Sequence, residues 1–173
     1  MRRIIIMAVF AAALATGARA AEVKIGEEVD KNHMEIGAVY LQPVTMEPMD
    51  HAEHGPTDIH LEADIHAAKD NPNGFGPGDW IPYLGITYSL SKQGGSWTAK
   101  GDLLPMVAND GPHYGANVKL DGPGKYKVAY RISPPGHGFM RHTDKETGVA
   151  PFWEPFTLEW EFSYVGVGKK GGY

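Results

Sequence analysis

Five side chains that can bind a metal ion alternate with apolar or small residues in the segment TDIHLEADIHA, residues 57–67. They are two histidines and three carboxylates: Asp58, His60, Glu62, Asp64 and His66. The spacing differs from the H-E-x-x-H pattern of zinc peptidases, which needs a helix to bring its two histidines together. Strict alternation with a period of two predicts a β-strand instead.

On such a strand the polar row faces one side of the sheet and the apolar row faces the core. The predicted core row is Ile59, Leu61, Ala63 and Ile65. Neighbouring residues on one face lie about 7 Å apart, so His60 and Glu62 can share one ion or hold two close ions. His60 and His66 are too far apart to share one. The alternative is that the polar row only faces water.

A soft ligand set is predicted in the segment LLPMVANDGPHYGANVKL, where a turn-forming NDGP separates Met106 from His113. A β-hairpin at this turn brings the two side chains close together. The chain has no cysteine, so methionine is its only soft ligand. A thioether paired with imidazole favours copper, especially Cu(I). The alternative for Met106 is packing in the core.

Two glycine-, proline- or histidine-rich segments are predicted to be loops. Residues 134–153 carry His137 and His142, and loops of this length in a compact domain are usually functional or disordered. The alternative is a solvent loop in which the histidines are incidental. Residues 46–56 are either an accessory metal-capturing loop or, as we favour, a mobile polar loop. Its candidate ligands are Met46, Glu47, Met49, His51, Glu53 and His54.

The elements that position these residues are predicted to be short strands. The 22 glycines and 13 prolines mark frequent turns, and no window has a comparable helical period. Seven segments with strand character follow one another: residues 35–44, 58–67, 80–91, 96–107, 113–120, 124–133 and 156–167. This spacing predicts an all-β, immunoglobulin-like antiparallel β-sandwich, with a cupredoxin-like barrel as the alternative.

The amino-terminal residues 1–20 are predicted to be a cleaved signal peptide. Two arginines precede an apolar stretch, and Ala18-Arg19-Ala20 has the small-x-small cleavage pattern. The alternative is an uncleaved membrane anchor. Residues 21–173 are then one metal-binding domain, large enough to fold around its own core. A secreted chain without cysteine is compatible with the bacterial periplasm.

The charge of the chain argues against nucleic-acid binding. The net charge is −5 with histidine neutral, and no basic run is longer than Lys169-Lys170. The sequence also has no nucleophile elbow, phosphate-binding glycine loop or dinucleotide fingerprint.

Long blocks of the chain resemble the periplasmic iron-transport proteins of the FetP type. These blocks are AVYLQPVTMEP, DIHLEADIHA, NGFGPGDWIPYL, PMVANDGPHYGANVKL, GKYKVAYRI, RHTDKETGV and PFTLEWEFSYVG. The resemblance implies an immunoglobulin-like sandwich that forms a homodimer, with copper sites near the dimer interface. It also implies a role in iron uptake beside an inner-membrane iron permease.

The resemblance assigns metal ligands to matching positions of this chain: His60, Glu62, Met106, His113 and His142. His142 in this family can come from the other subunit. A second group of candidates is less directly implied, with Glu47 as a secondary iron contact: Glu47, Asp64, His66 and His137. The residue patterns and the resemblance agree on His60, Met106 and His113.

The sequence leaves the purpose of the metals open between three hypotheses. In the first, bound copper assists the oxidation of Fe²⁺ before iron passes to the permease, which would make the chain a copper-dependent ferroxidase. In the second, which does not require an enzyme and is favoured, copper and iron bind without redox chemistry and the chain only delivers iron. In the third, the chain stores or delivers copper in the periplasm.

Overall fold

The computed structural model describes residues 22–48, 56–136 and 138–166, and this part of the chain is built from strands. The nine strands are β1 (Val23–Lys24), β2 (Val29–Lys31), β3 (Met34–Leu41), β4 (Ile59–Ala67), β5 (Gly85–Lys92), β6 (Thr98–Ala108), β7 (Gly111–Val118), β8 (Gly124–Ser133) and β9 (Phe156–Tyr164). Within the described ranges, we find no helix with the length and apolar character needed to cross a bilayer.

The strands form two antiparallel layers that share β6. The order of hydrogen-bonded neighbours is β1-β3-β4-β7-β6-β5-β8-β9, with β2 also paired to β3. Residues 98–103 of β6 pair with β5, whereas residues 104–108 pair with β7. The prediction of an all-β antiparallel sandwich is therefore confirmed.

One hydrogen bond resembles the tyrosine corner of immunoglobulin domains. The Tyr126 hydroxyl, near the start of β8, donates to the carbonyl of Gly122 at 2.6 Å. The immunoglobulin-like connectivity itself stays a prediction.

All seven predicted strands are present, but several of their ends differ from the prediction. β3 stops at Leu41, two residues before Pro43, which has no N–H to donate to a ladder. β5 begins at Gly85 rather than at Trp80, because Pro82 lacks an N–H and Tyr83 has a positive φ of 62°. The short strands β1 and β2 were missed, since two or three residues carry no visible alternation.

The apolar row of β4 lies in the core, as predicted, with all four side chains fully buried: Ile59, Leu61, Ala63 and Ile65. The second layer is tied to this strand by Tyr130 of β8, whose buried hydroxyl donates to the Glu62 carbonyl at 3.0 Å. This bond holds the β4 backbone at Glu62, one of the candidate metal ligands.

Some sequence predictions fall outside the described residues. They are the signal peptide of residues 1–20, residues 49–55 of the predicted polar loop, and His137. The division into a leader of residues 1–20 and a domain of residues 21–173 stays a prediction.

Candidate metal centre

The candidate site lies on the face of three neighbouring strands that is turned away from the core. β7 is the middle strand, with β4 on one side and β6 on the other. Glu62 of β4 stands opposite Gly115 of β7, and Met106 of β6 stands opposite His113 of β7. Cross-strand partners share a face, so the predicted hairpin does bring Met106 and His113 to the same side as Glu62.

Three side chains converge at the centre of this face. The Nε2 atoms of His60 and His113 each lie 3.4 Å from Oε1 of Glu62. Their ligand atoms all lie within 4.8 Å of one another. All three residues are buried, with exposed fractions of 1% for His60, 5% for Glu62 and 6% for His113. The polar row at His60 and Glu62 therefore does not simply face water.

Gly115 makes room for the fourth predicted ligand. A Cβ atom at this position would lie 2.6 Å from Nε2 of His60 and 3.3 Å from Sδ of Met106. The imidazole and the thioether thus approach the same small space above the β7 backbone. That space exists only because residue 115 has no side chain.

Burial changes the protonation of two members of the cluster. It raises the pKa of Glu62 from 4.5 to about 8, and the charges of Asp64, Glu22 and Asp110 add to the effect. Burial also lowers the pKa of His60 from 6.5 to about 4, against the opposing hydrogen bond to Asn117. At pH 7 the metal-free cluster therefore holds a neutral His60 and a protonated Glu62.

The cluster forms the inner wall of an open depression of about 1070 Å³. Met106 and the β6–β7 hairpin line one side, and residues 41–47 line the other. Three further carboxylates border the opening: Glu22, Glu47 and Asp110. Their negative field raises the local concentration of cations.

The other predicted ligands lie outside the central cluster. Glu47 is exposed and lines the depression. Asp64 and His66 continue the polar row of β4 but are only half-buried, and His66 forms a bridge with Trp80. The row is thus divided, as its spacing predicted, with His60 and Glu62 in the cluster.

His142 is held on the surface by its own loop. The Thr147 hydroxyl donates to Oδ2 of Asp144 at 2.8 Å, so its oxygen accepts from Nδ1–H of His142 at 2.7 Å. The Nε2 atom of His142 is left with its lone pair, and 72% of the side chain is exposed. Within one chain His142 does not line the depression.

The residues present fit a bound transition-metal ion. Nε2 of His60 and Nε2 of His113 are buried without a hydrogen-bond partner, which is unfavourable unless a cation or another donor reaches them. Two imidazoles and a thioether suit copper, while the Glu62 carboxylate suits a harder ion such as iron. The ligand roles of these residues stay predictions.

Two residues of the site, Gly115 and Asn117, were not predicted from the sequence. Both lie on β7 with the parity of His113, and Asn117 stands opposite His60. The alternation in HYGANV could have predicted this placement. Tyr114 and Val118 point into the core, so His113, Gly115 and Asn117 share the opposite face.

Replacing Gly115 with alanine will weaken copper binding without changing any charge. The new methyl group would overlap the His60 ring, which must move away from the ligand position. We expect copper affinity to fall about 10- to 100-fold, similar to the loss of a group that orients a ligand. Competition with a copper chelator measures this.

Gly37→Ala is the matched control, because a Cβ there meets only ordinary contacts, the nearest at 3.8 Å from Asp64. Equal affinities of the two folded variants would show that the space above Gly115 is not needed for binding.

Comparison with known proteins identifies the family. The model of a family described as Fe²⁺ transport protein matches residues 19–166, and the chain belongs to this family. A UPF0423 protein of Brucella abortus is 57% identical over 166 residues, which cover 93% of this chain and 91% of the relative. The 34 kDa membrane antigen of Treponema pallidum is 44% identical over 153 residues, covering 84% and 75%.

Solved structures agree with this assignment. A copper-bound variant of FetP from uropathogenic Escherichia coli strain F11 has a TM-score of 0.82 and 52% identity, covering 85% of this chain and 99% of its own. Copper-reconstituted P19 of Campylobacter jejuni has a TM-score of 0.83 and 49% identity, covering 86% and 99%. The predicted resemblance to FetP-type proteins is confirmed, and both predicted metals, copper and iron, occur in these comparisons.

Proposed function

We propose that this chain is a periplasmic copper- and iron-binding protein that assists iron uptake together with an inner-membrane iron permease. The observation that carries the proposal is the buried cluster of His60, Glu62 and His113, in which two imidazole nitrogens have no partner. The family supports iron as cargo, and the copper-bound relatives support copper as the resident metal. FetP produced recombinantly in the E. coli periplasm supports the location.

The ligand chemistry supports a division of labour within one depression. His60, His113 and Met106 would hold copper, because imidazole and thioether are the softer ligands. Glu62, at 3.4 Å from both imidazoles, would be shared with an iron ion or a second copper ion. The carboxylates at the opening would attract Fe²⁺ before it reaches Glu62.

The position of His142 supports a homodimer in which this residue completes the partner's site. Its ring is held by Thr147 through Nδ1, and 72% of its side chain is exposed. Within one chain it is not among the residues lining the depression, so a second chain would supply it.

A deletion strain tests the role in iron uptake. We expect poor growth under iron limitation, restored by the wild-type gene and by His66→Ala but not by His60→Ala. Normal growth without the gene under iron limitation, with new sensitivity to copper, would instead make the chain a copper storage or delivery protein.

A second candidate function is copper-dependent oxidation of Fe²⁺. It is favoured by the contact between a hard carboxylate, Glu62, and the softer imidazoles. The test mixes the copper-loaded chain with Fe²⁺ under oxygen and follows ferric absorbance, with Met106→Leu as the control. A rate no faster than in buffer removes this function and leaves the binding role in place.

A further inference from the structure

Asn117 makes three hydrogen bonds that connect the metal cluster to the wall of the depression. Its Nδ2 donates to the Val44 carbonyl at 2.7 Å, and its Oδ1 accepts from the Val44 N–H at 3.1 Å. The same Oδ1 lies 2.9 Å from Nδ1 of His60. One side chain therefore contacts both a candidate ligand and the backbone of the segment between β3 and β4.

The bonds to Val44 determine which way the Asn117 amide faces. A backbone N–H can only donate and a carbonyl can only accept, so the amide oxygen and nitrogen cannot exchange places. The atom facing His60 is consequently Oδ1, which can only accept. Nδ1 of His60 must carry the hydrogen in this bond.

The hydrogen on Nδ1 has a consequence for the other ring nitrogen. In a neutral imidazole one nitrogen donates and the other holds a lone pair. Nε2 of His60 is therefore the lone-pair atom, and it is the atom that lies 3.4 Å from Glu62 Oε1 and close to the space above Gly115. It is buried without a partner.

We propose that Asn117 is a positioning residue that holds His60 in the Nδ1–H tautomer, with the Nε2 lone pair aimed into the depression. This inference deepens the proposed function, because it concerns the same metal site. Outer partners of this kind orient a metal-binding imidazole and raise its basicity.

The same side chain also fixes the opposite wall. Residues 42–48 form no strand, yet this segment lines the depression with Met46 and Glu47. The Asn117 amide donates to Val44 and accepts from it, as a backbone neighbour in a sheet would, and these two bonds attach the segment to β7. Loss of the amide thus changes the ring of His60 and the wall beside it together.

The experiment measures the tautomer of His60 directly in the metal-free mature chain at pH 7. ¹⁵N-labelled histidine gives distinct ring-nitrogen shifts for the two tautomers, and the spectrum of His60→Ala assigns the signal. Two variants are compared. Asn117→Leu removes every hydrogen bond of this side chain, whereas Asn117→Asp keeps an acceptor for His60, loses the donation to Val44 and adds one negative charge.

We expect the wild type and Asn117→Asp to carry the hydrogen on Nδ1, and Asn117→Leu to gain a population with the hydrogen on Nε2. Copper affinity of Asn117→Leu should fall about 10- to 100-fold. Because Asn117→Asp retains the acceptor, it should keep most of the affinity that the leucine variant loses.

Two results would overturn the proposal. One is a wild-type His60 with its hydrogen on Nε2, which decides the matter even if Asn117→Leu does not fold. The other is a folded Asn117→Leu whose His60 tautomer is unchanged. A changed tautomer with unchanged copper affinity would uphold the positioning and count against the metal-binding role of His60, so the two proposals fail separately.

Discussion

Replacing His60 with alanine will lower copper affinity at least about 100-fold, or about 2.8 kcal/mol of binding free energy. The change removes a buried imidazole whose Nε2 has no partner within the described part of the protein. Loss of a group that only hydrogen-bonds to a metal ligand costs about 10- to 100-fold in metal affinity, so loss of the ligand itself should cost more. Chelator competition under anaerobic conditions measures Cu(I), and calorimetry measures Cu(II).

His66→Ala is the matched control for this change. His66 lies on the same strand and the same face, six residues further along the chain and outside the cluster. We expect it to bind copper like the wild type. Equal loss in both variants, with both folded, would contradict a site centred on His60 and would indicate binding along the whole polar row.

The polar row of β4 shows what the alternation of side chains along a strand can predict. Alternation alone placed Ile59 and Leu61 in the core and put His60 and Glu62 on one face. The rise per residue along a strand was enough to show that His66 and His60 cannot share one ion, because the distance between them does not depend on the rest of the fold. The hairpin between Met106 and His113 was equally local, since it depends on a short turn.

The features that the sequence did not predict depend on which strands become neighbours. Asn117 and Gly115 matter because β7 lies beside β4, and no local pattern specifies this pairing. The depression in which Glu62 lies is lined in addition by the segment after β3, which is held to β7 by the bonds between Val44 and Asn117. The alternation of β4 alone is compatible with a solvent-exposed polar face, whereas the neighbouring strands of the folded chain bury His60 and Glu62 on that face.

Replacing Glu62 with glutamine will stabilise the metal-free protein at alkaline pH and leave its stability unchanged in acid. Burial raises the pKa of Glu62 from 4.5 to about 8 in the folded chain. Between these values the folded state keeps a proton that the unfolded state has released. The free energy of unfolding therefore falls as pH rises through this window.

Glutamine resembles the protonated carboxyl and cannot ionise, so the variant avoids this loss. Its gain in Tm over the wild type should be absent below about pH 4.5, grow up to about pH 8 and then stay constant. One pKa unit corresponds to about 1.4 kcal/mol, and about 1 kcal/mol shifts the Tm of a chain of this size by about 2–4 °C. Over the interval from 4.5 to about 8 this amounts to about 5 kcal/mol, so we expect a gain of roughly 10–20 °C at alkaline pH.

Thermal unfolding in the presence of a chelator, followed from pH 4 to pH 9, measures the gain. Glu161→Gln, on the exposed face of β9, controls for the loss of one negative charge and should show no such pH-dependent gain. A Glu62→Gln variant that is less stable than the wild type at pH 8.5 would mean that the ionised carboxylate is itself stabilised in the metal-free fold. The cluster would then have to supply a positive partner for Glu62 before any metal ion arrives, and His60 and His113 are the two groups within 3.4 Å that could do so.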